Sequence, residues 1–404
     1  MRPSALASRN WPRHGLHMQL TNARLILPDV IREGSLTLRE GRIANVGRAH
    51  PKARGKERLD LKGGFLAPGF IDLHIHGAVG HDTMEATPEA FKAITDYHLR
   101  GGTTSLTLTT LTAPHADIMR TLEAIKPMHN RSLGGSRIIG VHVEGPYISP
   151  LRVGAQNPKY VRPPNNPSEW RQILRYGKLV TQMTIAPEEE GALALIKALK
   201  RNGTIASGGH TDANHEQLIP ALKAGLNQAT HTFNQMSTIT KRGPYRWAGM
   251  IEFSLAQDEI LCELICDGKH VPPIIMKMLF NAKGRDGVCL VSDATKGAGL
   301  PVGTEFELFG MTARSTQHTA ELVDGSGLAG STLTMIRSVK TAVEMGGQLL
   351  VDAVRMASLN PARQLRREKE FGSIESGKRA DLVWFDEKFR VRGVWLDGEQ
   401  RFLA

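Results

Sequence analysis

The stretch RIIGVHVEGPYISPLRVGAQNP, residues 137–158, decides how the chain is read. A mainly apolar run beginning at Ile138 stops on the carboxylate of Glu144, and a Gly–Pro turn follows at once. The same pattern, an apolar segment ending on a polar side chain, recurs through the middle of the chain. FIDLHIHG (70–77), SLTLTT (105–110), VTQMTIAP (180–187), TIASGGH (204–210), QATHTFN (228–234), ILCELICDG (260–268) and GVCLVSDA (287–294) are the other candidate strands. Amphipathic segments at 88–100, 188–201, 214–224, 271–282, 331–345 and 350–358 are predicted helices. Eight strands that do not alternate are buried on both faces. With helices between them they predict an α/β fold, a (β/α)8 TIM-type barrel spanning residues 68–372.

The two chain ends read differently. Segments 19–28, 34–47 and 57–69 alternate apolar and polar residues and are broken by glycine, as is ADLVWFDEKFRVRGVWLDGEQRF (380–402). Residues 18–67 and 373–404 are therefore expected to build one small β-sandwich domain. Residues 1–17 carry Arg2, Arg9 and Arg13 but no apolar segment of signal-peptide length, and are expected to form a disordered leader.

The formal charge is +11 over 404 residues. No long Lys/Arg block with interleaved aromatics accompanies it, so an anionic metabolite is favoured over nucleic acid as partner. No apolar run approaches the ~20 residues of a membrane span. Cys262, Cys266 and Cys289 give no disulfide framework, which fits a reducing cytoplasm. Cys262 and Cys266 share a face of a buried strand and read as core residues.

The chemistry lies in the polar residues at the strand ends. In PGFIDLHIHG, His74 and His76 alternate and so share one face of a strand, half of a site for a divalent transition metal. Glu144, His210, His231 and Asp293 stand at or just past the ends of four further strands. One such residue merely meets water; five strand ends of this kind would converge at a barrel mouth. Burying imidazoles and carboxylates there is costly unless a cation pairs with them. A divalent ion lowers the pKa of water towards ~7. Asp293 is the candidate base to take the water's proton and pass it to a leaving group. That machinery suits hydrolysis of an amide, ester or amidine. No dinucleotide-binding glycine fingerprint follows the first strand, which speaks against hydride transfer.

PGFIDLHIHG after a small β domain, with later histidines and a terminal Asp, resembles the amidohydrolase superfamily. HVEGPYIS, GGHTDA, THTFNQMS, ICDGKHV, LVSDAT, LAGSTLTM and ASLNPAR, in that order, resemble the family of N-acetylglucosamine-6-phosphate deacetylases within it. The resemblance implies a metal held by Glu144, His210 and His231. It implies a second position at His74 and His76 bridged by Glu144, and Asp293 as general base and then acid. It also implies recognition of a sugar phosphate by Asn234, the backbone around Gln235, His270 and Arg242. Arg242 is expected to reach the neighbouring subunit's site, so a homodimer is implied. The residues themselves support a phosphate site, since FNQMSTITKRGPYRW (233–247) reads as a loop carrying Lys241, Arg242 and Arg246. Zinc, iron, cobalt and manganese all suit this donor set.

One residue departs from the family pattern. GAQNP has Gln156 where the family carries a histidine expected to help stabilise the oxyanion. Gln156 is kept as a substrate-binding candidate, and the substitution leaves open a related amino-sugar phosphate such as N-acetylgalactosamine 6-phosphate. The competing readings are another amidohydrolase, of the cyclic-amide or deaminating kind, and a catalytically dead metabolite-binding module. His98, His115 and His215 read as helix-surface histidines.

Overall fold

The computed structural model describes residues 17–47, 57–308 and 310–404. Most of the expected leader, residues 1–16, lies outside the described residues, and His17 already opens the first strand, His17–Ile26.

Eight parallel strands run in sequence around the barrel: Phe70–Ile75, Thr103–Thr109, Arg137–Glu144, Val180–Ile185, Ile205–Gly208, Leu226–Ala229, Leu261–Ile265 and Val288–Val291. They are called the first to eighth barrel strands. Each neighbours the next, and the ring closes where Ile75 pairs in parallel with Ala294. Apolar residues on the outward faces, among them Leu106, Leu108, Val141, Val143, Met183 and Leu264, pack under the helices in one large core. Alternate residues such as Thr107, His142, Gln182, Thr184, Ser207, Gln228 and Glu263 are equally buried but polar. They satisfy one another: His142 Nε2 lies 2.7 Å from Thr184 Oγ1, which lies 2.8 Å from Thr230 Oγ1.

The predicted helix at 88–100 is observed as Pro88–Arg100, capped by the Thr87 side chain with Pro at its first position. The predicted helix at 331–345 is shorter, Met335–Glu344, because Leu328–Ser331 is a strand. That strand closes a four-stranded antiparallel sheet (Glu305–Leu308, Met311–Ser315, Thr319–Leu322, Leu328–Ser331) inserted after the eighth barrel strand. The inserted sheet overhangs the mouth, and Ala155 from the loop after the third strand packs against its small core of Leu308, Ala313, Ala320, Leu322 and Ala329.

Strands from both chain ends join one eight-stranded sheet, in which Leu382–Phe385 pairs antiparallel with Phe65–Pro68. Its own core gathers Leu20, Leu25, Leu36, Leu66, Leu382 and Trp395. An ion network centred on the buried Arg137 and Asp381 ties it to the barrel. Arg137, at the start of the third barrel strand and 2% exposed, donates to Asp381 Oδ2 at 2.6 Å and to Asp397 Oδ2 at 2.7 Å. Arg379 donates to Asp397 Oδ1 at 2.7 Å.

His98 is not a surface residue. It is fully buried on the inner face of its helix, with Nε2 3.3 Å from Gly77 O. His215 is half-buried and packs edge-on against Trp247. His115 is half-buried with Nε2 3.4 Å from Gln172 Oε1. The three cysteines are buried free thiols, and burial pushes Cys262 up to about 11.

Candidate active site

The strand ends turn abruptly, and that turn aims the side chains. His210, His231 and Asp293 all have positive φ (47°, 31° and 48°), a region that costs a non-glycine residue about 1–2 kcal/mol. Each lies past its strand, at the fifth, sixth and eighth strand ends, and swings its side chain over the barrel axis. Neighbouring backbone holds the turns. Asp293 N–H donates to His74 O at 2.9 Å, and Ser331 N–H donates to Asp293 O at 2.8 Å. Gly330 makes that second approach possible, because a Cβ there would meet Asp293 O at 2.8 Å.

Six side chains predicted from the sequence meet at the barrel mouth, five of them lining one cavity of about 230 Å³ and the sixth, His74, fully buried beside His76. They form two groups of potential metal ligands, Glu144/His210/His231 and His74/His76/Asp293, with the ligand atoms of each group within 4.8 Å of one another. Glu144 stands between the groups. Its Oε1 lies 3.1 Å from His231 Nε2 and 3.4 Å from both His210 Nε2 and His74 Nε2. Its Oε2 lies 3.2 Å from His76 Nε2. Asp293 Oδ1 lies 3.3 Å from His76 Nε2 and 3.5 Å from His74 Nε2.

This donor set fits a divalent cation. The Nε2 atoms of His210 and His231 face each other at 3.1 Å, and those of His74 and His76 at 3.3 Å. Two neutral imidazoles so placed can share at most one proton, so lone pairs are left pointing inwards. The opposite ring atoms are anchored in places: His210 Nδ1 lies 2.8 Å from Arg152 O, an acceptor that keeps the proton on Nδ1 and leaves Nε2 as ligand. The electrostatics agree. Burial would lower the two imidazoles of the first strand, but Glu144 and Asp293 outweigh it, holding His74 well above its ordinary range and bringing His76 to about 9. Burial would raise the carboxylates, but the facing histidines hold Glu144 well below and Asp293 below the usual range. The cluster attracts positive charge, which a metal ion supplies without a proton.

The remaining candidates divide. Asn234, Gln235 and His270 line the same cavity. Asp267 Oδ2 lies 2.6 Å from His270 Nδ1 and fixes that ring, leaving its Nε2 for a ligand. Gln156 lines the cavity too, but its amide is already engaged. Its Nε2 donates to Glu144 Oε2 at 2.7 Å, and its Oε1 accepts from Thr112 N–H at 2.8 Å. Arg242 is outside the cavity lining. Residues 240–247 form not an open loop but a hairpin, Thr240–Arg242 paired with Tyr245–Trp247, on which Arg242 is exposed and its guanidinium lies 4.3 Å from the Trp247 ring centre.

Some site residues escape the sequence reading. Thr112 engages Gln156 through its main chain, which no side-chain pattern reveals. Leu308 and Leu328 reach the cavity from the inserted sheet, a segment the sequence leaves unassigned. Asp72 of PGFIDLHIHG is fully buried and pushed up to about 6 by that burial, and its Oδ1 accepts from His74 N–H and Ser292 N–H. A larger open groove of about 900 Å³ on the small β domain is lined by Arg24, Glu33, Lys62 and Asp386 among others. Four of its charged side chains are already paired, Arg24 with Glu387 and Arg390 with Asp386.

Known proteins share this sequence and fold. The amidohydrolase family pattern matches residues 65–401. An N-acetylglucosamine-6-phosphate deacetylase of Bacillus subtilis (strain 168) is 37% identical over 88% of this chain and 89% of its own length. An N-acetylgalactosamine-6-phosphate deacetylase of Shewanella sp. (strain ANA-3) is 35% identical over 86% of each chain. The structure of a mutant N-acetyl-D-glucosamine-6-phosphate deacetylase of Mycobacterium smegmatis in complex with N-acetyl-D-glucosamine-6-phosphate superposes with a TM-score of 0.87. It is 32% identical and covers 96% of this chain and 100% of that one. The chain belongs to the amidohydrolase family, and within it to the branch that contains the N-acetylglucosamine-6-phosphate deacetylases.

Proposed function

We propose that this protein is a metal-dependent amide hydrolase that converts N-acetylglucosamine 6-phosphate to glucosamine 6-phosphate and acetate. The observation that carries the reading is the meeting of two ligand groups around Glu144 at the barrel mouth, with five of the six side chains lining a single cavity. Glu144, His210 and His231 would hold one ion, and His74 and His76 would offer a second position, beside Asp293. A bound divalent ion would polarise the acetyl carbonyl and acidify a water molecule. His and carboxylate donors suit zinc, iron, cobalt or manganese alike.

Asp293 carries the proton. Its carboxylate is held in the ionised form by the facing imidazoles, so it can accept a proton as the water oxygen adds to the carbonyl carbon. It then delivers that proton to the amide nitrogen as the C–N bond breaks, and the amine and acetate leave. Asn234, Gln235 and His270 would bind the sugar phosphate from the cavity wall. Gln156 holds Glu144 and has one amide N–H left for the acyl oxygen. Arg242 would grip the phosphate of a neighbouring protomer in a homodimer, a role suited to an exposed hairpin that does not line its own cavity. A cytoplasmic location fits the three buried free thiols.

Acetate release from a panel of N-acylated hexosamines, with and without the 6-phosphate, tests this reading. N-acetylglucosamine 6-phosphate is expected to turn over fastest. Faster turnover of the galactosamine epimer would overturn the sugar, and equal turnover of unphosphorylated sugars would overturn the phosphate.

A further inference from the structure

One buried carboxylate is left without a task by this chemistry. Glu263 sits in the middle of the seventh barrel strand, fully buried beneath the mouth. Its Oε1 accepts from Gln228 Nε2 at 2.7 Å and from Gln182 Nε2 at 3.3 Å. Its Oε2 lies 3.1 Å from His74 Nδ1 and accepts from His231 N–H at 3.2 Å. None of these partners is Lys or Arg. The two glutamines are themselves locked, Gln182 donating to Leu73 O at 2.7 Å and Gln228 to Gln182 Oε1 at 3.0 Å.

A buried carboxylate whose one basic partner is an imidazole is costly, and an apolar side chain would fill the space without that cost. What the carboxylate adds is contact with both ligand groups at once. A carboxylate accepts and does not donate, so it keeps a proton on His74 Nδ1 and leaves Nε2 bare for a cation. The same oxygen holds the main chain at His231, whose φ of 31° is unfavourable, and the Glu263 carbonyl accepts from Thr232 N–H at 2.8 Å. We propose that Glu263 is a positioning residue shared by the two ligand groups, setting the tautomer of His74 and the turn that aims His231. The proposal rests on the reading of these groups as metal ligands.

The test is metal binding by the whole protein, stripped with a chelator and titrated with Co²⁺ by equilibrium dialysis and visible absorption. Glu263→Gln keeps the shape but turns an NH₂ towards groups that are themselves donors. It is expected to bind Co²⁺ about 10–100-fold more weakly, with an altered ligand-field spectrum. Glu263→Asp keeps the charge but withdraws it from His74 and His231. It is expected to bind several-fold more weakly, and it decides the matter if the glutamine variant does not fold. Wild-type affinity and spectrum in the folded variant would overturn the proposal, even with a lowered melting temperature, because the role would then be structural only. Failure of the wild-type protein to bind any divalent ion would instead overturn the metal reading beneath it.

Discussion

The two ends of the third barrel strand bury opposite kinds of charge cluster. At its start, Arg137 and Arg379 face Asp381 and Asp397, so positive and negative groups balance within the protein. At its end, Glu144 meets Asp293 across four histidines, and the balance lacks a cation. A balanced cluster needs nothing from outside and joins two parts of the fold. An unbalanced one pulls His74 and His76 towards protonation and is suited to a ligand that brings positive charge. Burial alone does not separate structure from function here, whereas the sum of the charges does.

That contrast breaks if the two ends respond alike to mutation. Asp293→Asn is expected to lower turnover by about 10²–10⁴-fold with the melting temperature nearly unchanged, as read by acetate release and calorimetry. Asp381→Ala should do the reverse. It leaves the buried Arg137 with Asp397 as its one remaining carboxylate partner and is expected to cost about 3 kcal/mol in urea unfolding, while the folded protein keeps its kcat.

His98 sharpens the contrast, being buried with no charge partner at all. Burial depresses its folded pKa to about 4, with the Gly77 carbonyl opposing, against about 6.5 when unfolded. The unfolded chain therefore binds more protons between these values. Stability is full above about pH 6.5 and falls by about 3 kcal/mol as the pH drops through the window to about 4. Unfolding curves of His98→Asn should lack that acid limb. The smallest effect is expected at the exposed hairpin outside the cavity, where the proposed phosphate contact predicts that Arg242→Ala raises KM for the phosphorylated sugar with kcat little changed. The loss of a charged hydrogen bond there corresponds to about 1.5–3 kcal/mol.

The barrel was legible because strands buried on both faces are written as continuous apolar runs, and the polar residues closing them stand out. That is why His74, His76, Glu144, His210, His231 and Asp293 could be named without a structure. Short or amphipathic elements carry a weaker signal. Helices His115–Ile125, Pro167–Leu174 and Met250–Ala256 and the inserted sheet of short strands went unassigned. His98 misled because a polar side chain on a helix reads as solvent-facing, whereas its position among Phe91, Ile94 and Leu99 puts it on the buried face. Glu263 has a signal, a carboxylate in the middle of the apolar run ILCELIC. Reading that segment as a core strand accounts for its cysteines and leaves the acid without a role. Contacts made by main chain, such as Thr112 on Gln156 and Arg152 on His210, have no side-chain signature to find.

If the positive charge that suits the mouth is a metal ion, amide hydrolysis depends on that ion. Acetate release from N-acetylglucosamine 6-phosphate by the chelator-stripped protein, before and after one divalent ion is restored, tests it most directly. No acetate is expected before and turnover after. Equal turnover by the stripped protein would contradict it.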